Sequence, residues 1–262
     1  MKINVKKLMI AVSLLLFLIG CAQTNSNTAI ASATPVIDRI QKSGTLRVGM
    51  TGNMPPLNMT SKEGELMGYE VDLARAMAKA MGVKAELKTM PFAELLPALE
   101  TGKIDMIISN MTITPGRNLK VAFVGPYFTS GKAFLTKRKT IAAADEAADI
   151  DAKNTKLVAL KGSTSQAFVE TAMPEAQLVT AKDYDEAVNM VLQDKVHAMV
   201  ADYPICVVSV FRYPEAGLLS VVTTLTYEPI GVGVPTGDSL LVNWVENYLN
   251  IAKKTGLLGE LR

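Results

Sequence analysis

The chain is poor in the residues that form disulfides and metal sites. Its 262 residues include two cysteines and one histidine. Cys21 and Cys206 cannot make a disulfide framework, so the fold must be held together by its hydrophobic core. Cys206 lies in the apolar run "ICVVSVF" and is predicted to be a small buried hydrophobe. His197 has no second histidine or cysteine near it in the sequence, so we expect no metal, no cofactor and no Ser-His-Asp or Cys-His catalytic set.

A large excess of charge of either sign is also missing. The sequence has 27 Lys and Arg against 25 Asp and Glu, a formal net charge of +2, and the two signs are interspersed. A nucleic-acid partner is therefore not expected, because such a partner requires a basic patch or stripe. A monomer is expected.

Only one apolar run is long, and it lies near the start of the chain. Residues 8–19 follow three lysines, which is the pattern of a secretory signal peptide, and the run is too short to span a bilayer comfortably. We predict a signal peptide over residues 1–20. Its end, "LIGC", resembles the bacterial lipobox, which implies lipidation of Cys21 and a protein anchored to a membrane in the periplasm or at the cell surface. A plain signal peptide is the alternative. Residues 21–44 are predicted to be a lipidated tether.

Beyond the tether, short β-branched runs alternate with amphipathic stretches, which is typical of α/β units on largely parallel sheets. The first set contains the strands "TLRVGM", "KAELKTM" and "KIDMIIS" and the helix "YEVDLARAMAKAMG", with Asp72 expected to cap its start. A second set begins with "KLVAL" near residue 155. We predict one lobe of residues 45–130 and 226–262 and a second lobe of residues 131–225. Two linking segments would join them as a hinge, with a ligand cleft between.

Polar segments at strand ends are the candidate site, because ligands of open α/β sheets bind at the carboxyl ends of the strands. Arg117 follows a strand in "SNMTITPGR" and offers a rigid bidentate fork to a carboxylate. Ser163 and Thr164 lie at a helix start, where anions bind, and Asp202 ends the strand "HAMVAD". Together these groups fit the two charges of an α-amino acid. The plainer alternatives are a solvated arginine and simple helix caps.

The segments "LRVGMTGNMPPLN", "ELLPALETGKIDMIISNMTITPGR", "LKGSTSQAF" and "VHAMVADYP" resemble the bacterial extracellular solute-binding proteins of family 3, the polar amino acid receptors of ABC importers. The resemblance covers Leu46 to Leu258. It implies a periplasmic-binding-protein-like fold of type II, in which two α/β lobes close on a free amino acid and then dock on an ABC permease, without catalysis. The implied ligand contacts are Arg117, Thr112, Ser163 and Thr164 for the carboxylate, and Asp202 and Asn110 for the amine.

The resemblance also implies a pocket for the ligand side chain, made by Thr51, Met54, Leu57 and Phe92. Many members have aromatic residues where this chain has Met54 and Leu57. Members that take basic amino acids tend to carry an acid at the position of Thr51. Without that acid, a buried ligand ammonium would lack a partner, which is costly in a dry site. We therefore expect a neutral side chain, apolar or amide.

Two other functions share this fold. The stretches "VGMTGNMPPL" and "YLNIAKKTGLL" also resemble cyclohexadienyl dehydratase, which eliminates water and carbon dioxide from arogenate or prephenate. That elimination needs a proton donor, and Gln166 stands where those enzymes carry an acid, so a binding protein is expected instead. The sensor lobe of a signalling receptor is the third class. Such a lobe is usually followed by a membrane helix and a kinase or cyclase module, and the printed chain stops at Arg262.

Overall fold

The computed structural model describes residues 34–221 and 224–261. The predicted signal peptide, the lipidation site Cys21 and most of the tether therefore lie outside the described residues. Within the described ranges, no helix combines the length and the apolar character that crossing a bilayer requires.

Ten α-helices occur in the described part of the chain. They are α1 (Pro35–Ser43), α2 (Tyr69–Ala80), α3 (Phe92–Glu100), α4 (Pro115–Asn118), α5 (Lys139–Ala142), α6 (Thr164–Ala172), α7 (Tyr184–Leu192), α8 (Tyr203–Arg212), α9 (Ser239–Lys254) and α10 (Leu257–Glu260). The strands are β1 (Thr45–Met50), β2 (Asn53–Met54), β3 (Asn58–Thr60), β4 (Leu66–Met67), β5 (Lys84–Thr89), β6 (Met106–Ile107), β7 (Ala122–Ser130), β8 (Lys132–Thr136), β9 (Lys156–Leu160), β10 (Gln177–Ala181), β11 (Ala198–Asp202), β12 (Leu219–Ser220) and β13 (Glu228–Val234).

Helix α1 corrects the predicted extent of the tether, because residues 35–43 are helical rather than extended. The carboxylate of Asp238 accepts hydrogen bonds from the backbone N–H groups of Val36 and Ile37, both at 2.9 Å. Ile40 is fully buried. A capped amphipathic helix with an apolar residue in the core gains more from packing than from solvation, so it forms part of the folded body.

The first sheet has the strand order β5-β1-β6-β13-β7, and β5, β1 and β6 run parallel. Strand β13 is antiparallel to both of its neighbours. Leu73 and Met77 on the apolar face of α2 are fully buried. Asp72 does not cap this helix, however. The N-cap is Gly68, and Asp72 lies in the first turn with its side chain exposed.

Strand β6 is shorter than the predicted strand "KIDMIIS", because two side chains take over the hydrogen bonds of the ladder. Asp105 accepts the backbone N–H of Arg47 at 2.8 Å, and Ser109 Oγ accepts the backbone N–H of Thr51 at 3.0 Å. Only Met106 and Ile107 remain in strand conformation. The chain therefore leaves the sheet early, at the segment that carries Asn110 and Thr112.

The second sheet has the strand order β10-β9-β11-β8-β12. Strands β10, β9 and β11 run parallel, and β8 is antiparallel to β11, with Lys132 in register with Asp202. Strands β8 and β11 are buried along their whole length.

The chain crosses between the two sheets twice, and the crossing segments lie side by side. The backbone N–H of Lys132 donates to Thr226 Oγ1 at 3.0 Å, and the N–H of Leu225 donates to the Lys132 carbonyl at 2.8 Å. A Cβ on Gly131 would lie 2.3 Å from the Thr226 carbonyl oxygen, so only glycine allows this close approach of the two backbones.

Candidate functional site

Polar residues meet where the two sheets face each other. The carboxyl ends of β1 and β6 lie at this edge of the first sheet, and those of β9 and β11 lie at the same edge of the second. Strands β13 and β8 run in the opposite direction in these sheets, so their first residues, Glu228 and Lys132, lie at these edges too. Groups from several distant segments therefore converge in one region.

Arg117 reaches from the first sheet to the second. It lies in the short helix α4, where Thr114 Oγ1 accepts the Arg117 backbone N–H at 3.2 Å as the N-cap. Its guanidinium donates to the carbonyl oxygens of Thr112, at 2.8 Å, and Gly162, at 3.2 Å. The guanidinium carbon also lies 5.6 Å from the centroid of the Phe92 ring.

The Arg117 guanidinium lies within electrostatic reach of two acids, Glu228 of the first sheet and Asp202 of the second. Burial lowers its pKa, while the charges of Glu228 and Asp202 act to raise it. An arginine stays protonated under such a shift, so the site keeps a fixed positive charge. Five guanidinium N–H groups are available and two are used by carbonyl oxygens.

Asp202 is bound by an amide from the other sheet. Asn110 Nδ2 donates to Asp202 Oδ2 at 2.5 Å. Because an ionised carboxylate can only accept, the NH₂ end of Asn110 must face Asp202, which orients the amide. Asn110 Oδ1 is then a buried acceptor with no hydrogen-bond partner among the residues that the structure describes. An unpaired acceptor beside a carboxylate is suited to an ammonium group.

Asn110 is held in place by a buried carboxylate, Glu70. The backbone of Asn110 adopts φ 48, which is uncommon for a residue with a side chain, and its N–H donates to Glu70 Oε1 at 2.6 Å. Asn58 Nδ2 and Tyr127 Oη also donate to Glu70, each at 2.5 Å. Burial raises the pKa of Glu70, and these three hydrogen bonds act to lower it. Glu70 therefore positions an amide of the site, and the charge of Asp202 is close enough to act to raise the pKa of Glu70.

Hydroxyl groups also join the two sheets. Thr164 Oγ1 donates to Glu228 Oε2 at 3.1 Å and lies 3.2 Å from Thr112 Oγ1. Because a carboxylate only accepts, the Thr164 proton points to Glu228, so Thr112 is the donor of the threonine pair. An isolated antiparallel bridge between Thr112 and Ile230 fixes this segment against β13.

Ser163 does not join these hydroxyl groups, because it is the N-cap of α6. Its Oγ accepts the Gln166 backbone N–H at 3.2 Å and donates its proton to the Leu160 carbonyl at 2.6 Å. The predicted carboxylate-binding role of Ser163 is thus replaced by the plainer alternative of helix capping. The Gln166 side chain accepts from the Gly162 N–H and donates to Glu170, both at 2.8 Å, so it bonds within its own segment.

The predicted side-chain pocket is only partly assembled. Met54 and Phe92 are buried in one hydrophobic cluster, whereas Leu57 is buried in the other. A turn in which the Leu57 N–H donates to the Met54 carbonyl at 2.8 Å reverses the chain between these two residues. Thr51 is half-buried, and its hydroxyl donates to Asn58 Oδ1 at 2.9 Å. Leu57 therefore packs in a different hydrophobic cluster from Met54 and Phe92.

Two charged residues of the site were missed from the sequence, Lys132 and Glu228. Lys132 is 1% exposed, and its Nζ lies 2.7 Å from Asp202 Oδ1 and 3.3 Å from Glu228 Oε2. Glu228 also accepts a hydrogen bond from Thr226 Oγ1 at 2.9 Å. Burial acts to raise the pKa of Glu228, but the Lys132 ammonium and nearby hydroxyl groups lower it below its ordinary value. The sequence signal that could have identified them is a single charged residue at the start of each apolar run, "KAFLT" and "EPIGVGV".

The remaining candidates lie elsewhere. Cys206 is fully buried, as predicted, and burial raises its pKa. His197 Nδ1 accepts the Lys156 backbone N–H at 3.2 Å. Over residues 34–221 and 224–261, no group of three or more His, Cys, Asp or Glu side chains is arranged to hold a metal ion.

Comparison with known proteins gives consistent matches. The model of the family "Bacterial extracellular solute-binding proteins, family 3" matches residues 46–262 of this chain. An arginine-binding periplasmic protein of Mannheimia haemolytica is 30% identical over 157 residues, which cover 60% of this chain and 62% of that protein. A glutamine-binding protein of Geobacillus stearothermophilus is 28% identical over 245 residues, which cover 88% and 92%. The crystal structure of an ancestral amino acid-binding protein, a precursor of cyclohexadienyl dehydratase, matches with a TM-score of 0.79 at 36% identity, covering 86% of this chain and 96% of that chain.

These matches confirm the predicted fold, two α/β lobes joined by a two-segment hinge in the manner of type II periplasmic binding proteins. Further relatives are arginine- and glutamine-binding proteins of ABC transporters. The named relatives are binding proteins rather than enzymes. The chain belongs to the bacterial extracellular solute-binding proteins of family 3.

Proposed function

We propose that this protein captures a free α-amino acid between its two lobes and delivers it to an ABC permease. The observation that carries the proposal is the convergence of Arg117, from one lobe, and Asp202, from the other, on one interlobe region. Opposite fixed charges on opposite lobes match the two charges of a zwitterion. A ligand that bridges them favours the closed arrangement by its contacts with both lobes.

The carboxylate of the ligand would bind at Arg117. Carbonyl oxygens of Thr112 and Gly162 orient the guanidinium, and the Phe92 ring supports it from one side. N–H groups remain for a bidentate contact with a carboxylate. The hydroxyls of Thr112 and Thr164 lie in the same region, and in our proposal they would turn their protons from their present acceptors to the ligand carboxylate.

The amine of the ligand would bind between Asp202 and Asn110. Each oxygen of the Asp202 carboxylate can accept more than one hydrogen bond, so the present contacts with Asn110 and Lys132 leave capacity for an ammonium. Asn110 Oδ1 supplies a second acceptor.

A neutral ligand side chain is supported by the balance of charge. Where the two sheets meet, Arg117 and Lys132 supply two positive charges and Asp202 and Glu228 supply two negative charges. The Glu70 carboxylate, behind Asn110, is taken up by three donors of its own. A zwitterion keeps this balance, whereas a basic amino acid adds an uncompensated charge in a buried site. Met54 is a flexible apolar neighbour for the ligand side chain in this proposal.

A lipid anchor at Cys21 would hold the protein at the membrane that carries the permease. The support is the lipobox-like "LIGC" after an apolar run. Labelling of the wild type, but not of Cys21→Ser, by a fatty acid supplied to the cells tests this step. Equal labelling of both would contradict it.

Isothermal titration calorimetry with the twenty common amino acids tests the proposed function. Arg117→Ala is expected to weaken binding by about 2–5 kcal/mol, the range for truncating one partner of a buried charge pair. Arg75→Ala is the matched control, because Arg75 forms an exposed 3.6 Å pair with Asp72 on α2, away from the interlobe region. Unchanged affinity in Arg117→Ala, or no binding of any amino acid by the wild type, would overturn the proposal.

A further inference from the structure

Lys132 is a buried cation to which the scheme above assigns no group of the ligand. It begins β8, directly opposite Asp202 in the register of the second sheet. Its Nζ lies 2.7 Å from Asp202 Oδ1 and 3.3 Å from Glu228 Oε2, and the residue is 1% exposed. A lysine is almost never buried this completely unless it is paired.

The ammonium of Lys132 joins two acids from different lobes. Asp202 ends a strand of the second sheet, and Glu228 begins a strand of the first. Two carboxylates this close to one another would be costly to bury without a cation between them. Lys132 therefore takes the position that a cationic group of a ligand would otherwise be drawn to.

Lys132 also retains donor capacity. An ammonium has three N–H groups, and Asp202 and Glu228 account for two of them. No third acceptor for Nζ occurs in the part of the chain that the structure describes. A buried N–H requires an acceptor, so an oxygen atom of a bound molecule is the natural complement.

We propose that Lys132 determines ligand specificity, excluding amino acids with a cationic side chain and donating a hydrogen bond to an oxygen in the side chain of the ligand. The preferred class is then an amino acid with a neutral, oxygen-bearing side chain, such as an amide. This inference rests on the proposed function, because it concerns the same interlobe site.

Calorimetry with four ligands tests the inference: glutamine, norleucine, lysine and arginine. Norleucine has a chain of similar length to glutamine but no side-chain oxygen, so the ratio of the two affinities reports the proposed hydrogen bond. The wild type is expected to prefer glutamine to norleucine by about tenfold or more, as for a hydrogen bond to a charged group. Lysine and arginine are expected to bind at least about tenfold more weakly than glutamine, because their side-chain cation would lie beside an ammonium.

Lys132→Met removes the ammonium and keeps the length of the side chain. The preference for glutamine over norleucine should fall to within about threefold, and the affinity for lysine should rise by about tenfold or more, because Asp202 and Glu228 lose their cation. Lys137→Met is the matched control, since Lys137 forms a 2.6 Å pair with Asp194 at the surface. It should leave both ratios unchanged.

Lys132→Met leaves two buried acids without a cation, so the double variant Lys132→Met/Glu228→Gln provides a second test in case the single variant does not fold. This variant should lose the preference for glutamine over norleucine and still reject lysine, because one acid has been neutralised along with the cation.

The outcomes separate the inference from the function on which it rests. A wild type that binds no amino acid overturns both. A wild type that binds amino acids but prefers lysine or arginine overturns only the role of Lys132. A preference for glutamine over norleucine that persists in either variant also overturns that role, and leaves amino acid binding intact.

Discussion

The buried cluster around Glu70 allows a quantitative test of how the site is positioned. Glu70 accepts three hydrogen bonds, from the Asn110 backbone, the Tyr127 hydroxyl and the Asn58 amide. In Glu70→Gln, the remaining oxygen can still accept from Asn110 and Tyr127, which share Oε1. The new NH₂ group then faces Asn58 Nδ2, which is also a donor.

The amide of Asn58 cannot rotate to relieve this conflict. Its Oδ1 already accepts from the Thr51 hydroxyl at 2.9 Å and from the Gly52 N–H at 2.7 Å. One hydrogen bond to a charged acceptor is therefore lost and two buried donors oppose each other. We expect the free energy of unfolding to fall by about 2–4 kcal/mol, from the loss of a charge-assisted hydrogen bond and the cost of an unpaired buried donor.

Urea unfolding at neutral pH measures this loss, with Glu86→Gln as the control. Glu86 pairs with Lys88 at 2.8 Å on an exposed face, and a change within about 0.5 kcal/mol is expected there. The double variant Glu70→Gln/Asn58→Asp restores a donor opposite an acceptor and should recover most of the lost stability. Glu70→Gln should also weaken ligand binding, because the Asn110 N–H then donates to a neutral oxygen instead of a charged one, which holds Asn110 less firmly. A variant with wild-type stability and affinity would refute the positioning role.

Two further predictions follow from the hinge and from the acid pair. Gly131→Ala should lower the free energy of unfolding by about 1–3 kcal/mol, because the new Cβ would lie 2.3 Å from a backbone carbonyl oxygen. Gly259→Ala is the control and should not lower it, because no atom lies within 4 Å of the new Cβ. Equal stability of the two variants would contradict the close approach. The folded state lowers the pKa of Glu228 below its ordinary value of 4.5, so its stabilising contribution is present above that pH and is lost as the pH falls through the lowered pKa. The acid side of the stability profile measured by urea unfolding should therefore be flatter in Glu228→Gln than in the wild type, and profiles of the same slope would contradict this pairing.

Much of the fold could be predicted because its signals are local. Strand β1 and strand β9 have the predicted bounds, and Leu73 and Met77 on the apolar face of α2 are buried. Glycine in the left-handed conformation follows α2 and α3, at Gly82 and Gly102, where helices commonly end. These features depend on residues a few positions apart, which interact in any fold that contains them.

Sequence patterns predicted the helix and strand ends less well where a side chain takes the place of a backbone group in hydrogen bonding. Asp72 was expected as a cap and lies one turn inside α2, while the strand around Met106 is cut short by Asp105 and Ser109. Asp72 pairs with Arg75 on its own helix, whereas Asp105 and Ser109 bond to backbone N–H groups of Arg47 and Thr51, which are distant in sequence. A local sequence pattern cannot predict those distant partners.

The residues of the candidate site also differ in how well the sequence predicts them. Arg117, in the loop after an apolar strand, and Asp202, at the end of another, can be nominated from the sequence because ligands of open α/β sheets bind at the carboxyl ends of strands, whereas Asn110 is implied only by the family resemblance. Ser163 has the same sequence position but is used as a helix cap. Residue type and position were enough to select these side chains as candidates. They were not enough to show which of the side chains cap a helix instead.

Sequence alone therefore determined the alternation of strands and helices and the family, and it nominated the strand-end residues that we propose bind a zwitterion. Tertiary structure alone decided that Lys132 and Glu228 join them. Both residues begin strands that run antiparallel to their neighbours, so strand direction brings their charges to the edge where the parallel strands end. Strand direction within a sheet is set by pairing between segments that are far apart in the chain, and it leaves no mark on the residues next to Lys132 or Glu228.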